Sequence, residues 1–387
     1  MRIILIVGIL SIFLQPLLFS FLGLTVWIHS ALFILIIYLF TLNNVKVYKN
    51  EMRVFYAVLS IFVYSFLFGK DLYLIGYINA LLLPLVVYLS LNNSVNYKTY
   101  KTVLTIILVF FVALIIESYI ERIFRFKLIT IKDDSIIGTD LYNESQFRSN
   151  GLFGHPLSSA QFVLLIYTAF LAMKSVSSTK KIYVTFFVLI SMMCFNARTA
   201  TLLTGVGFLC YYFDHFSIKK VLAGISMGVG FTILVYYGIS ELGIGTRMLE
   251  MFGDNSSKTR TTVFRVFDFF DLNDFLWGPD NSFLSRTIKT VGNKGDEIII
   301  ENPIIDYLFR IGLIMTLILV VTYITFFSRI SKGLTRHQKI ILFTPSAISI
   351  LSSISLAGGS VTLSNLVIMI LILKYDSQSN TPLLVVR

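Results

Sequence analysis

The sequence predicts an all-α, polytopic integral membrane protein with about 12 transmembrane helices. Hydrophobic residues make up 56% of the 387 residues, charged residues make up only 14%, and the mean hydropathy is +0.80. A water-soluble domain of this size has no core large enough to bury so much apolar surface. The composition therefore excludes an ordinary soluble enzyme or binding domain.

Twelve apolar runs approach the length needed to cross roughly 30 Å of hydrocarbon, which takes about 17 to 25 helical residues. They fall near 3–22, 24–42, 54–69, 72–91, 102–121, 158–174, 182–197, 199–213, 220–241, 304–327, 340–356 and 360–374. The first run lacks a small-residue cleavage site and a second run follows at once, so we interpret it as a span and not as a signal peptide. No separate soluble segment is visible, so 1–387 is treated as one membrane domain.

The distribution of basic residues predicts the orientation of these spans. In a twelve-span arrangement, alternate connections and both termini carry Arg2, Lys46, Lys49, Arg53, Lys98, Lys101, Lys174, Lys180, Lys181, Lys219, Lys220, Arg329, Lys332, Arg336, Lys339, Lys374 and Arg387. Cytoplasmic loops are the ones enriched in Lys and Arg, so both termini are expected in the cytoplasm. The net charge of +11 then suits contact with anionic membrane lipid, and nucleic acid is not a predicted partner.

Two long polar connections, 122–157 and 242–303, fall on the opposite, extracytoplasmic side. Their basic residues, with those at nearby span ends, are mostly arginine: Arg122, Arg125, Arg148, Arg198, Arg247, Arg260, Arg265, Arg286 and Arg310. A guanidinium group is planar, always charged and able to grip a phosphate at two points. Such a cluster indicates an anionic substrate; the alternative is that these arginines pair with Asp268, Asp271, Asp274, Asp280 and Glu301 or touch lipid headgroups.

The first long loop ends in a tight polar stretch, 147–156. Gly151 and Gly154 permit close approach of backbone amides to a ligand, and Pro156 delays the next helix. His155 is the one histidine predicted on the outer face, and an imidazole can take a proton from a sugar hydroxyl near neutral pH. His155 is therefore a candidate base or a donor to a leaving phosphate. A capping or interfacial role is the alternative.

The second long loop is predicted to be partly helical. Apolar residues recur at helical spacing from Thr259 to Phe275, as expected for an amphipathic helix lying in the interface plane. The acids of this stretch are better explained by a solvated face than by a metal site. Glu301, just before the next span, is a second candidate base, although acids are also favoured at helix starts for electrostatic reasons.

In their order and placement, these residues resemble the O-antigen and capsular polysaccharide polymerase family (Wzy-type), which is related to the O-antigen ligases. The resemblance covers most of the chain. Its motifs are Arg148-x-x-Gly151 with His155-Pro156 before a span, Asn196-Ala197-Arg198 between spans, Ser257-Lys258-Thr259-Arg260, and Glu301-Asn302 followed by Arg310-Ile311-Gly312. The chain departs from the family where Gly278-Pro279-Asp280 replaces Gly-x-Gly and Glu301-Asn302 replaces His-Asn. An arginine-x10-glycine pattern is also missing from the outer loops.

The resemblance implies a GT-C-like enzyme of the bacterial plasma (inner) membrane. It would transfer a growing glycan from undecaprenyl pyrophosphate to a lipid-linked repeat unit at the outer face, without a metal or other cofactor. A chain-length regulator and a flippase are the implied protein partners. Catalytic roles are implied for His155, Arg148, Arg260 and Glu301, and substrate-binding roles for Arg198, Arg247, Arg265, Gly151, Asn302 and Arg310.

Other functions compatible with the sequence are an O-antigen ligase-like glycan transferase, a polysaccharide flippase or transporter, and a membrane acyltransferase. A ligase is expected to carry a histidine in the second long loop, which is absent here. A transporter is expected to have ionisable residues within paired or broken spans, whereas charges here fall at span ends. An acyltransferase needs an acid near its histidine, and His155 has none nearby in sequence.

Overall fold

The computed structural model describes residues 2–22, 30–42, 44–70, 74–93, 97–129, 147–213, 263–291, 300, 302–351 and 361–379, with scattered residues between 222 and 240. Within these ranges helices are the only regular secondary structure, which confirms the all-α prediction. The first eight helices are α1 Arg2–Leu22, α2 Ser30–Phe40, α3 Lys49–Leu67, α4 Leu74–Asn92, α5 Tyr97–Phe124, α6 Pro156–Ala172, α7 Ser178–Cys194 and α8 Arg198–Tyr212.

The second half begins with a 3₁₀ helix, Val263–Phe269, and continues with five α-helices. These are α9 Leu272–Trp277, α10 Asn281–Val291, α11 Pro303–Ile330, α12 Arg336–Leu351 and α13 Thr362–Ser379. Eleven of the twelve predicted spans coincide with a described helix. The remaining one, 220–241, lies largely outside the described residues.

Two of the described helices, Lys98–Phe124 within α5 and α11, are long and apolar enough to cross a membrane. Shorter apolar helices are Arg2–Leu14, Ser30–Phe40, Ala80–Asn92 and Pro156–Ala172. The long helices also point large apolar side chains outward, including Val109, Val112, Ile116, Leu317, Val321 and Ile324. Water disfavours such a surface, whereas lipid tails suit it.

Helix α6 lies at the centre of the described bundle. It packs against α5, α7, α8, α12 and α13, and almost all of its side chains are buried. Pro156 occupies its first turn, where a missing backbone N–H costs no helical hydrogen bond. His155 therefore lies at the N-terminus of the most buried helix in the described part of the chain.

The second loop differs from the single interfacial helix that the sequence predicts over Thr259–Phe275. Residues 259–262 lie outside the described residues, and the rest divides into the 3₁₀ helix and α9. Asp271 starts α9 by accepting a hydrogen bond from the Asp274 backbone N–H at 2.7 Å, so the chain restarts there instead of continuing. The buried side chains Val263 and Val266 pack with Phe309 of α11, so this apolar face contacts protein.

Helix α11 is broken near its start. Gly312 has φ 74° and ψ 175°, and a Cβ there would lie 2.3 Å from the Gly278 backbone nitrogen. The absence of side chains at Gly278 and Gly312 thus allows the backbone after α9 to contact the backbone of the break directly. The end of α3 and the residues that follow it reinforce this contact, since Lys70 Nζ donates to the Gly278 carbonyl and Tyr64 Oη donates to the Trp277 carbonyl.

Candidate functional site

The polar stretch 147–156 is held by a buried carboxylate at the end of α5. Glu121 Oε2 accepts hydrogen bonds from the Asn150 N–H at 2.7 Å and the Gly151 N–H at 3.1 Å, and Oε1 accepts from the Leu128 N–H at 2.9 Å. The Glu121 side chain has no exposed surface. Because charge-assisted bonds to backbone N–H groups are strong when water is excluded, Glu121 fixes the path of this stretch.

Gly151 takes part in this anchoring. It has φ 64°, which favours glycine, and an added Cβ would meet Ser159 Oγ at 2.9 Å, Leu114 Cδ2 at 3.1 Å and Phe195 Cε1 at 3.2 Å. Its N–H is already used by Glu121. Tight packing therefore accounts for this glycine, which was expected to approach the substrate.

The turn between α7 and α8 packs against the same stretch. Asn196 has φ 53°, and the Asn196 and Ala197 N–H groups donate back to the Met193 and Met192 carbonyls, as in a Schellman motif. The Ser149 N–H donates to the Cys194 carbonyl at 3.1 Å, which joins the two turns. Arg198 follows directly as the first residue of α8.

Arg148 lies between these two turns. Its Nε donates to the Phe195 carbonyl oxygen at 3.3 Å, which places the guanidinium beside the Asn196–Arg198 turn. The same guanidinium acts electrostatically on His155. The structure thus brings together Arg148, His155, Gly151 and the start of α8, which are four of the site positions that the sequence predicts.

His155 is neutral in this setting. Burial lowers the pKa of its imidazole from the usual 6.5 to about 4, and the positive charges of Arg148 and Lys127 add to the effect. Its Nδ1 is buried without a hydrogen-bond partner among the described residues. A neutral ring with an open nitrogen can accept a hydrogen bond or a proton, but a pKa of about 4 makes it a weaker base near neutral pH than an ordinary imidazole.

Unpartnered polar atoms concentrate in this region. Nine buried side-chain nitrogen and oxygen atoms that lack a hydrogen bond among the described residues lie near these turns or on helix segments beside them. They belong to Glu117, Asn150, His155, Gln161, Asn196, Ser364 and Asn365. Buried polar groups are nearly always satisfied, so this concentration indicates a region that receives water or the polar groups of a ligand.

The sequence analysis does not predict two acidic residues of this site, Glu117 and Glu121. Glu117 and Glu121 are four residues apart on an apolar helix, where a burial cost of several kcal/mol makes a carboxylate rare. Two carboxylates at a spacing of four residues in an apolar run are the sequence feature that could have predicted this part of the site. The Leu152 N–H faces Glu117, although no hydrogen bond of normal geometry joins them.

The other predicted site residues lie elsewhere or have structural partners. Asn302 Oδ1 caps α11 by accepting from the Ile304 N–H at 2.9 Å, and Arg310 Nε is 2.7 Å from Asp306 Oδ1. Arg265 is exposed on the 3₁₀ helix. Arg247, Arg260 and Glu301 lie outside the described residues, so their predicted roles stay predictions.

Comparison with models of protein families gives no match, and comparison with curated protein sequences gives none either. The resemblance to the polymerase family therefore stays a prediction from the sequence.

The lowered pKa of His155 predicts a specific loss of stability in acid. Between about pH 6.5 and 4 the unfolded chain binds a proton at His155 that the folded chain does not, so the free energy of unfolding falls as the pH drops through this window. The full effect corresponds to roughly 3 kcal/mol. Unfolding in detergent should therefore lose less stability between pH 7 and pH 4 in His155→Gln than in the unchanged protein.

Other groups titrate over the same range in both proteins, so the difference between the two slopes isolates His155. Equal slopes would show that His155 is protonated as easily in the folded chain as in the unfolded one.

Proposed function

We propose that this chain is a multi-pass glycosyltransferase that polymerises lipid-linked polysaccharide repeat units at the outer face of a bacterial plasma membrane. The observation that carries the proposal is the placement of Arg148 between the Asn196–Arg198 turn and a neutral, partly buried His155. An apolar bundle surrounds this polar end. A lipid-linked donor needs both environments, because its pyrophosphate is polar and its chain is apolar.

The reaction would move a glycan between two lipid carriers. A hydroxyl of the acceptor sugar forms a new bond to the anomeric carbon of the donor glycan, and the bond from that carbon to the pyrophosphate oxygen breaks. The hydroxyl proton passes to His155 Nδ1, and the undecaprenyl pyrophosphate leaves as an anion. Charge grows on the pyrophosphate as the bond breaks, so fixed cations placed there lower the barrier.

Arg148 and Arg198 would supply this stabilisation, and Arg260 is a third candidate. Guanidinium groups bind phosphate oxygens bidentately and stay charged at any physiological pH. Asn196, whose buried amide has no partner among the described residues, would bind a sugar hydroxyl or phosphate oxygen. Glu301 is the alternative base in this proposal.

This chemistry requires the orientation that the basic residues predict. With twelve spans and both termini in the cytoplasm, the 147–156 stretch faces outward, where flipped repeat units are found. A flippase that delivers these units and a regulator of chain length are then the expected partners.

A second candidate function is transport or flipping, and the break in α11 at Gly312 favours it. Transporters commonly build substrate sites on interrupted helices. Deleting the gene distinguishes the candidates on a gel of surface polysaccharide. Single repeat units left on their carrier indicate a polymerase, a full ladder held on the lipid carrier indicates a ligase, and units retained inside the cell indicate a flippase.

Changing Arg148 to Ala should abolish the polysaccharide ladder at normal protein level. Loss of one preorganised donor to a developing negative charge costs roughly 100-fold or more in rate. The matched control is Arg286→Ala, because Arg286 is an exposed arginine on α10 that bonds the Ser282 carbonyl within its own helix. A ladder retained in Arg148→Ala, or lost equally in the control, would remove Arg148 from the site.

Cysteine labelling tests the proposed orientation. In a background carrying Cys194→Ser and Cys210→Ser, which removes the two native cysteines, single cysteines are introduced as Ser158→Cys and Lys180→Cys. Both positions are exposed. A membrane-impermeant maleimide should label the first variant in intact spheroplasts and the second only after permeabilisation.

The reverse pattern would place the candidate site in the cytoplasm and contradict the proposal. Equal labelling of both variants in intact spheroplasts would also contradict it.

A further inference from the structure

A cavity of about 580 Å³ lies between the ends of four helices. It is lined by the end of α6, the start of α7, the end of α8 and the start of α12. His155 lies at the opposite end of α6, and 17 helical residues at 1.5 Å each span roughly 25 Å. This cavity is therefore separate from the candidate functional site.

Lys181 lines the cavity and is unusually buried for a lysine. Only 6% of the residue is exposed, and its Nζ lies 4.5 Å from the centre of the Tyr211 ring. Within the part of the chain that the structure describes, Lys181 Nζ makes no hydrogen bond and no ion pair. Because Lys181 lines the cavity, an anion bound there can supply the acceptors that its ammonium lacks.

The start of α7 adds further donors to the same wall. Its N-cap residue, Ser177, makes no side-chain capping hydrogen bond, and Ser178 and Lys181 of the first turn both line the cavity. Uncapped first-turn amides and the positive end of the helix dipole favour an anion. Lys174 at the rim contributes another positive charge.

Asp376 is an acidic residue near the cavity that offsets part of its positive charge. The carboxylate of Asp376 acts electrostatically on Lys181, but its Oδ2 already accepts a hydrogen bond from the Lys174 backbone N–H at 2.7 Å. The surroundings therefore remain positive overall. Leu171, Ile182 and the rings of Tyr211 and Tyr212 give the cavity an apolar side next to this positive side.

We infer that this cavity binds a phosphate group, with Lys181 and the start of α7 as its ligands. A phosphate supplies several acceptor oxygens to one ammonium and to the helix amides together. An anionic phospholipid headgroup would place its acyl chains along the apolar side, whereas a free phosphate would use the polar side alone. The site does not depend on the proposed function.

Thermal unfolding of the purified full-length protein in uncharged detergent tests this site. Short-chain phosphatidylglycerol, phosphatidylcholine of the same chain length and inorganic phosphate are titrated separately. The unchanged protein should be stabilised by phosphatidylglycerol or by inorganic phosphate more than by phosphatidylcholine. Lys181→Met should require at least about tenfold more of the same ligand, as expected when a charged hydrogen-bond donor is lost.

Lys180→Met is the matched control, because it removes the same charge from an exposed position one residue away. Lys181→Arg keeps the positive charge and should bind the ligand nearly as well as the unchanged protein. It therefore tests the role of the charge even if Lys181→Met folds poorly. Stabilisation by phosphatidylglycerol alone identifies a lipid headgroup, and equal stabilisation by inorganic phosphate identifies a free phosphate. No stabilisation of the unchanged protein, or an equal response of the Lys180 and Lys181 variants, would overturn the inference.

Discussion

The carboxylate of Glu121 accepts backbone hydrogen bonds from two non-helical stretches of chain, one after α5 and one before α6. Its bonds to the Asn150, Gly151 and Leu128 amides join the end of α5 to the stretch that leads into α6. Arg148 and His155 belong to that stretch, so their positions depend on Glu121. A charge at the end of an apolar helix is costly unless it is fully satisfied, and here the backbone satisfies it. The hydrogen bonds of Glu121 therefore both stabilise the fold and set the positions of the candidate site residues.

The α7–α8 turn and the start of α6 complete the polar region around residues 147–156. The α7–α8 turn receives hydrogen bonds from Ser149 and Arg148, and α6 carries His155 at its buried start. Burial and nearby cations lower the pKa of the imidazole and keep it neutral near neutral pH. At the other end of α6, α7 and α8, Lys181 faces a cavity of different character. The same three helices thus connect the proposed glycan-transfer site with the proposed phosphate site.

Much of this fold could be predicted from the sequence, because apolar runs mark helices whatever their packing. Eleven predicted runs coincide with helices, and the grouping of Arg148, His155 and Asn196–Arg198 follows from their places at the ends of successive runs. Contacts between distant residues could not be predicted. Nothing near Glu121 in sequence shows that its partners are 29 and 30 residues away. The break at Gly312 depends on close contact with Gly278, and the capping role of Asn302 competes with the binding role expected for it.

Hydrogen exchange of the 147–155 peptide, measured by mass spectrometry in Glu121→Ala and Glu121→Gln, tests the role of Glu121 most directly. Because buried amides that lose their acceptor become exposed to exchange, Asn150 and Gly151 should exchange fast in Glu121→Ala. Glu121→Gln retains one acceptor oxygen and should give an intermediate rate, while peptides from α6 keep the exchange rates of the unchanged protein. Slow exchange at Asn150 and Gly151 in Glu121→Ala would show that other contacts, and not Glu121, hold the stretch that carries Arg148 and His155.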